Sequence, residues 1–175
     1  RRSFRHLALG AGLNAFAAYG VLSWLASFFI RSHGMTTGEL GTWLAMSTGL
    51  FGAIGVFTGG MIADKLAPRD KRWYMWIPAG AGAIAIPFMI AVMLVPGQYA
   101  ALILAFIPGL MYNVYLGNCI ATTHGLVGQR MRATSSAILF LILNIIGLGL
   151  GPASIGMLSD FLTPSLGTDS LRYAM

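Results

Sequence analysis

Charge is what this sequence has least of. Asp, Glu, Lys and Arg together make up 9% of its 175 residues, where a water-soluble domain carries about 25%. Hydrophobic residues reach 57% and mean hydropathy +0.75, so most of the surface cannot be turned to water and the expected solvent is lipid. A single cysteine, Cys119, excludes an internal disulfide and sits mid-run as a small apolar filler. His6, His33 and His124 are scattered, with no carboxylate or thiol at ligand spacing, so neither a metal site nor a cofactor is expected. The net charge of +6 comes from basic residues separated by long apolar runs rather than from a stripe. That pattern argues against nucleic acid as a partner and makes the charge a topology signal.

What is there is apolar length. A helix needs roughly 20 apolar residues to cross the hydrocarbon core, and five stretches free of Asp, Glu, Lys and Arg reach it: 7–30, 40–63, 73–95, 99–127 and 133–159. Pro78, Pro87, Pro108 and Pro152 fall inside the last three, which membrane helices tolerate and soluble ones do not. If the N-terminal end is cytoplasmic, nine of the eleven basic residues share that side: Arg1, Arg2, Arg5, Lys65, Arg69, Lys71, Arg72, Arg130 and Arg132. Arg31 and Arg172 fall on the other, an asymmetry that sets the orientation. The basic opening is no signal peptide, because the apolar run is too long and no small-residue cleavage site follows.

The organisation expected is therefore a cytoplasmic linker end over 1–6, a five-helix transmembrane part over 7–162, and an outer loop with the start of a truncated sixth helix over 163–175. Opening on Arg1-Arg2 without Met and stopping inside a helix start, the sequence reads as a piece of a longer protein.

Glycines cluster on helix faces rather than in loops. Thr48, Gly52, Gly55 and Gly59 fall in one narrow arc of the second span, and Gly147, Gly149, Gly151-Pro152 and Gly156 mark the fifth. Small faces let helices approach closely in lipid, so helix packing is the first reading of both. Gly60-Met61-Ile62-Ala63-Asp64 ends the second span, and Gly156-Met157-Leu158-Ser159-Asp160 ends the fifth at the opposite membrane face. Matching motifs at opposite faces, three helices apart, are what a 3+3 inverted repeat leaves.

Gly59 to Lys65 followed by Arg69-Asp70-Lys71-Arg72 resembles the loop motif of the major facilitator superfamily, Gly-x-x-x-Asp-Arg/Lys and then a basic cluster. It departs from the pattern where Ala67-Pro68 replaces a common glycine and the cluster comes later. Met131 to Ala137, Asn144 to Pro152 and Gly156 to Asp160 are similar to the eleventh helix of spinster-like transporters. Trp24, Phe28 and Arg31 ahead of Gly34 suit that group's seventh helix. The resemblance implies an all-α membrane protein, with five transmembrane helices, seven to eleven, of an incomplete six-helix half. It implies a multi-pass secondary transporter in the cell membrane of a bacterium, whose N-terminal half is missing here. It also implies that helices seven, eight, ten and eleven line the central cavity, and leaves room for proton coupling through groups in the other half.

Two sets of residues carry the functional expectation. Gly60, Asp64, Arg69, Lys71 and Arg72 would form a conformational latch at a cytoplasmic helix end, where a carboxylate can meet the amides of a neighbouring helix. The plainer reading of the basic cluster is topology alone. The second set is uncharged, since no Asp, Glu, Lys or Arg lies within the spans. Tyr112, Tyr115, Asn118 and Thr122 share one face of the fourth span, Phe16, Tyr19, Ser23 and Ser27 one face of the first, and Ser136, Phe140 and Asn144 one face of the fifth. Asn113 points away from the fourth-span face, and the third span has no polar arc and is expected to be peripheral.

Interhelical hydrogen bonding is the rival explanation for every one of these side chains. An aromatic, weakly polar wall suits an amphiphilic or lipid-like solute. An organic anion or sugar acid is the alternative, with Arg31 near the outer end of a cavity helix to meet it. Membrane lipids are the other expected partner. An intramembrane serine enzyme would need Ser135 or Ser136 paired with His124, but no Gly-x-Ser-x-Gly turn supports one, so no catalytic residue is expected.

Overall fold

A computed structural model describes residues 2–175. Where lipid offers no hydrogen bonds, a spanning chain must satisfy its own backbone, so the apolar runs become helices. The first span is α1 (Arg2–His33). The second is α2 (Thr37–Leu44), a π-helical turn (Ala45–Leu50) and α3 (Phe51–Leu66), and the third is α4 (Trp73–Leu94). The fourth is α5 (Gln98–Met111) followed by α6 (Val114–Leu126), and the fifth is α7 (Arg132–Leu143), a second π-helical turn (Asn144–Leu150) and α8 (Gly151–Leu166). A short closing helix, α9 (Ser170–Ala174), follows a 3-10 turn. All the described elements are helical, and five stretches are long and apolar enough to cross a membrane.

The breaks have local causes. Pro78 and Pro87 leave α4 continuous, but Pro108-Gly109 is followed within a turn by the end of α5. The Asn113 amide there bonds the Leu110 carbonyl at 3.2 Å, a tightened three-residue closure, before α6 resumes at Val114. Over 163–175 the fifth helix continues through Pro164 to Leu166. Gly167, at φ 56°, then adopts a conformation that favours glycine and turns the chain back, so that α9 packs on α8 and α1 with Leu171 and Ala174 buried.

The helices pair twice in the same way. The first span packs along the fifth, and the second along the fourth. At each crossing a glycine sits against a backbone carbonyl. A Cβ on Gly151 would lie 2.6 Å from the Phe16 oxygen, and one on Gly55 would collide with the Leu110 oxygen. Exchanging the roles of the first three helices and the next three maps one crossing onto the other, as a 3+3 inverted repeat requires.

Small residues widen both contacts. Gly147 faces Ala15 and Tyr19, Gly12 faces Ile146, and Gly59 faces Val114. Two buried clusters complete the interior. One joins Leu7, Ala8, Ala11 and Ala15 to Tyr115, Cys119, Leu139 and Leu143. The other joins Phe28 and Phe29 to Leu40, Met89, Val92, Leu102 and Leu171. Large side chains such as Leu13, Phe57, Met157 and Phe161 are exposed, as a lipid- or protein-covered surface requires.

Candidate functional site

The uncharged polar residues divide by where their helices point them. On the first span Tyr19 is half-buried over Gly147, while Ser23 and Arg31 are exposed. On the fifth span Phe140 and Asn144 are exposed, and the Asn144 amide donates back to the Phe140 carbonyl at 2.8 Å. Ser136, half-buried, bonds His124 Nε2 at 2.8 Å and ties the fourth span to the fifth. A nucleophilic pair would need a third group to orient the imidazole, and no carboxylate hydrogen-bonds to His124 among the described residues. The contact is an interhelical tie.

The fourth-span face does not stay together. Tyr112 lies in the break between α5 and α6, half-buried, whereas Tyr115 and Asn118 are buried inside this half of the bundle. The Asn118 amide donates to the Val114 carbonyl at 3.0 Å and reaches the Gly59 carbonyl of the second span at 3.5 Å; Thr122 donates to the Asn118 carbonyl. Asn113, expected to point away from that face, turns towards the second span. Its amide donates to the Gly109 carbonyl at 2.8 Å and packs under Gly52, where a Cβ would be 3.1 Å away.

Two polar residues of the first span outside the candidate set stand out. The Trp24 indole donates to the Pro152 carbonyl at 2.9 Å, locking the first span to the fifth. Asn14 holds a buried side-chain oxygen with no partner among the described residues. Trp24 carried a signal, since a Trp in lipid needs an acceptor for its N–H, but nothing local names the Pro152 carbonyl as that acceptor.

A cavity of about 580 Å³ brings Tyr112 together with Phe16 of the first-span face. Its walls are Phe16, Val21, Met89, Met93, Ile155 and Leu158, with Arg172 at its rim. α1, α4, α8 and α9 frame it, and Tyr112 reaches it from the break between α5 and α6.

At the basic end, Asp64 is exposed in the last turn of α3. Its carboxylate accepts the Tyr74 hydroxyl at 2.8 Å. Gly60, one turn earlier, has open space where a Cβ would be. Arg69, Lys71 and Arg72 are exposed and make no ion pair; among the described residues the ion pair found is Arg172 with Asp169, 3.7 Å apart near the other end. Asp70 is used locally, its Oδ1 accepting the Arg72 amide at 2.8 Å.

Comparison with known proteins matches this arrangement. No protein-family model matches the sequence. An MFS-type efflux pump of Mycolicibacterium smegmatis is 32% identical over 173 residues, covering 99% of this chain and 40% of that protein. A bacterial homologue of the human lysosomal transporter Spinster, crystallised inward-facing and occupied, superposes with a TM-score of 0.82 at 34% identity over 95% of this chain. The unoccupied inward-facing form gives 0.82 at 33% identity. The chain spans 36% and 35% of those two structures, so in each relative well over half the protein lies outside the matched region.

Proposed function

Since this chain belongs to the major facilitator superfamily, on its spinster-like side, we propose that the complete protein is a secondary active transporter. It moves an amphiphilic or lipid-like organic solute by alternating access, with proton coupling supplied by groups outside this chain. The observation that carries the substrate class is the exposed face of the first and fifth spans. Ser23, Phe140 and Asn144, with Tyr19 beside them, offer weakly polar and aromatic surface and no ionised group. Such a wall meets an acyl chain without desolvating a charge and still offers hydrogen bonds to a polar head.

The test uses the full-length protein in proteoliposomes, with a labelled lysolipid and a labelled sugar acid, each with and without a pH gradient. Gradient-dependent lysolipid movement is expected. Movement of the sugar acid alone would replace this reading with the organic-anion one, which Arg31 favours: it is exposed and makes no ion pair among the described residues.

The basic end forms the latch in this proposal. A carboxylate in the last turn of a helix is repelled by its own helix's partial negative charge. Asp64 therefore gains most from an outside partner, such as the amide-bearing end of a neighbouring helix. In this reading the cluster of basic residues makes this end the cytoplasmic one, as the positive-inside rule expects. Lys71→Cys should accordingly react with an impermeant maleimide from the cytoplasmic side alone; labelling from outside would invert the orientation.

A further inference from the structure

The Asp64 carboxylate is short, exposed and repelled by its own helix, so left alone it would spread over several rotamers in water. It is not left alone. The Tyr74 hydroxyl, ten residues on at the start of α4, donates to its Oδ1 at 2.8 Å. Arg69, Lys71 and Arg72 are nearer in sequence, yet none pairs with it.

The loop between them is built to bring Tyr74 there. The Ala67 amide bonds the Ala63 carbonyl at 2.7 Å, and the Asp70 amide bonds the Leu66 carbonyl at 3.3 Å. The chain then reverses: the Asp70 side chain accepts the Arg72 amide and its carbonyl accepts the Trp73 amide at 3.1 Å. This turn starts α4 one residue before Tyr74. Trp73 and Trp76, edge to face at 5.4 Å, add the aromatic pair that anchors a helix end at a membrane interface.

We propose that Tyr74 is the positioning residue of the latch: by holding one carboxylate oxygen of Asp64 it fixes the rotamer and leaves the other free to accept the amides of a neighbouring helix. This rests on the reading of Asp64 as a latch. It adds a residue outside the Gly-x-x-x-Asp-Lys motif and gives the compact 67–73 turn a function. Pre-ordering one of two partners raises the population of the joined state without adding a contact to it.

The experiment measures, in the full-length protein in nanodiscs, the fraction of molecules closed at the basic end, by distances between two spin labels flanking that end. Asp64→Asn should lower the closed-to-open ratio by roughly tenfold. Tyr74→Phe keeps the ring and removes only the hydroxyl, and should lower the ratio in the same direction by about threefold. In an Asp64→Asn background Tyr74→Phe should do nothing further, because the group it orients is gone. Asp70→Ala, which loosens the turn without touching either partner, should reproduce part of the Tyr74→Phe shift.

If Asp64→Asn shifts the ratio and Tyr74→Phe does not, the positioning role is wrong and the latch stands. A Tyr74→Phe shift towards the closed state would also overturn it, making Tyr74 a competitor that holds Asp64 away from its partner. An unchanged ratio in Asp64→Asn would remove the latch itself, and this proposal with it.

Discussion

The two repeats solve one packing problem identically and then finish their ends differently. Gly55 against the Leu110 carbonyl and Gly151 against the Phe16 carbonyl are the same crossing seen from opposite sides of the membrane. Past the crossings the copies part. Gly60 to Asp64 runs into a helix end, a tight basic turn and the Tyr74 hydroxyl. In Gly156 to Asp160 the Asp160 side chain is exposed with no hydrogen bond or ion pair among the described residues, and the helix continues to Leu166. The repeat therefore specifies where helices cross, and the loops specify which end carries a polar device.

The sharpest test of the shared part is steric. Gly55→Ala and Gly151→Ala each place a methyl group against a backbone oxygen that cannot turn aside, so each should cost about 1–3 kcal/mol of stability. Thermal unfolding of the purified full-length protein would show similar downward shifts for both. Gly60→Ala, with open space at its Cβ, should leave the melting temperature unchanged. A large loss at one crossing and none at the other would break the equivalence of the repeats.

The difference between the ends is tested by the two carboxylates. Asp64→Asn should slow transport by roughly tenfold, worth about 1.4 kcal/mol, with insertion and yield intact. Asp160→Asn should transport at close to the normal rate. Equal losses would mean that both copies are latches and that the loop chemistry does not distinguish them.

Much of this fold could be read from the sequence. The five charge-free runs became the five spans, and the echoed Gly-Met-x-x-Asp motifs mark the second helices of the two repeats that the crossings relate. The site was less legible. Grouping Tyr112 with Tyr115 and Asn118 assumed one unbroken helix, but the chain is not helical at 112–113 and the phase changes there. A periodic pattern also says which residues share a face and not what that face meets. Tyr115 and Asn118 meet the interior of their own bundle, while Ser23 and Asn144 are exposed. The Trp24 tie to Pro152 joins residues 128 positions apart, and no local pattern contains it.

That tie marks a smaller difference between the two crossings. The first–fifth seam has an indole-to-carbonyl bond at 2.9 Å, whereas the second–fourth seam has the longer Asn118-to-Gly59 bond at 3.5 Å and stacked rings, Phe51 on Phe106 with centroids 4.4 Å apart. Trp24→Phe keeps most of the apolar bulk and removes the interhelical donor, and should cost about 1 kcal/mol in thermal unfolding. A neutral result would show that water or lipid headgroups replace the bond, and that packing holds the first–fifth seam without it.

The weakest tie is the one between the fourth and fifth spans. Ser136→Ala removes the partner of His124, and hydrogen bonds between helices in lipid average about 0.6 kcal/mol, so only a slight loss of stability is expected. The comparison with Asn144→Ala is more informative than the size of that loss. Asn144 bonds within its own helix and is exposed, so its removal should leave folding alone and fall on transport if that face lines the solute path. Ser136→Ala should show the reverse pattern, a small stability change with transport preserved. If both fell on transport alone, the polar residues of the fifth span would form one functional face, and the hydrogen bond to His124 would belong to the path rather than to the packing.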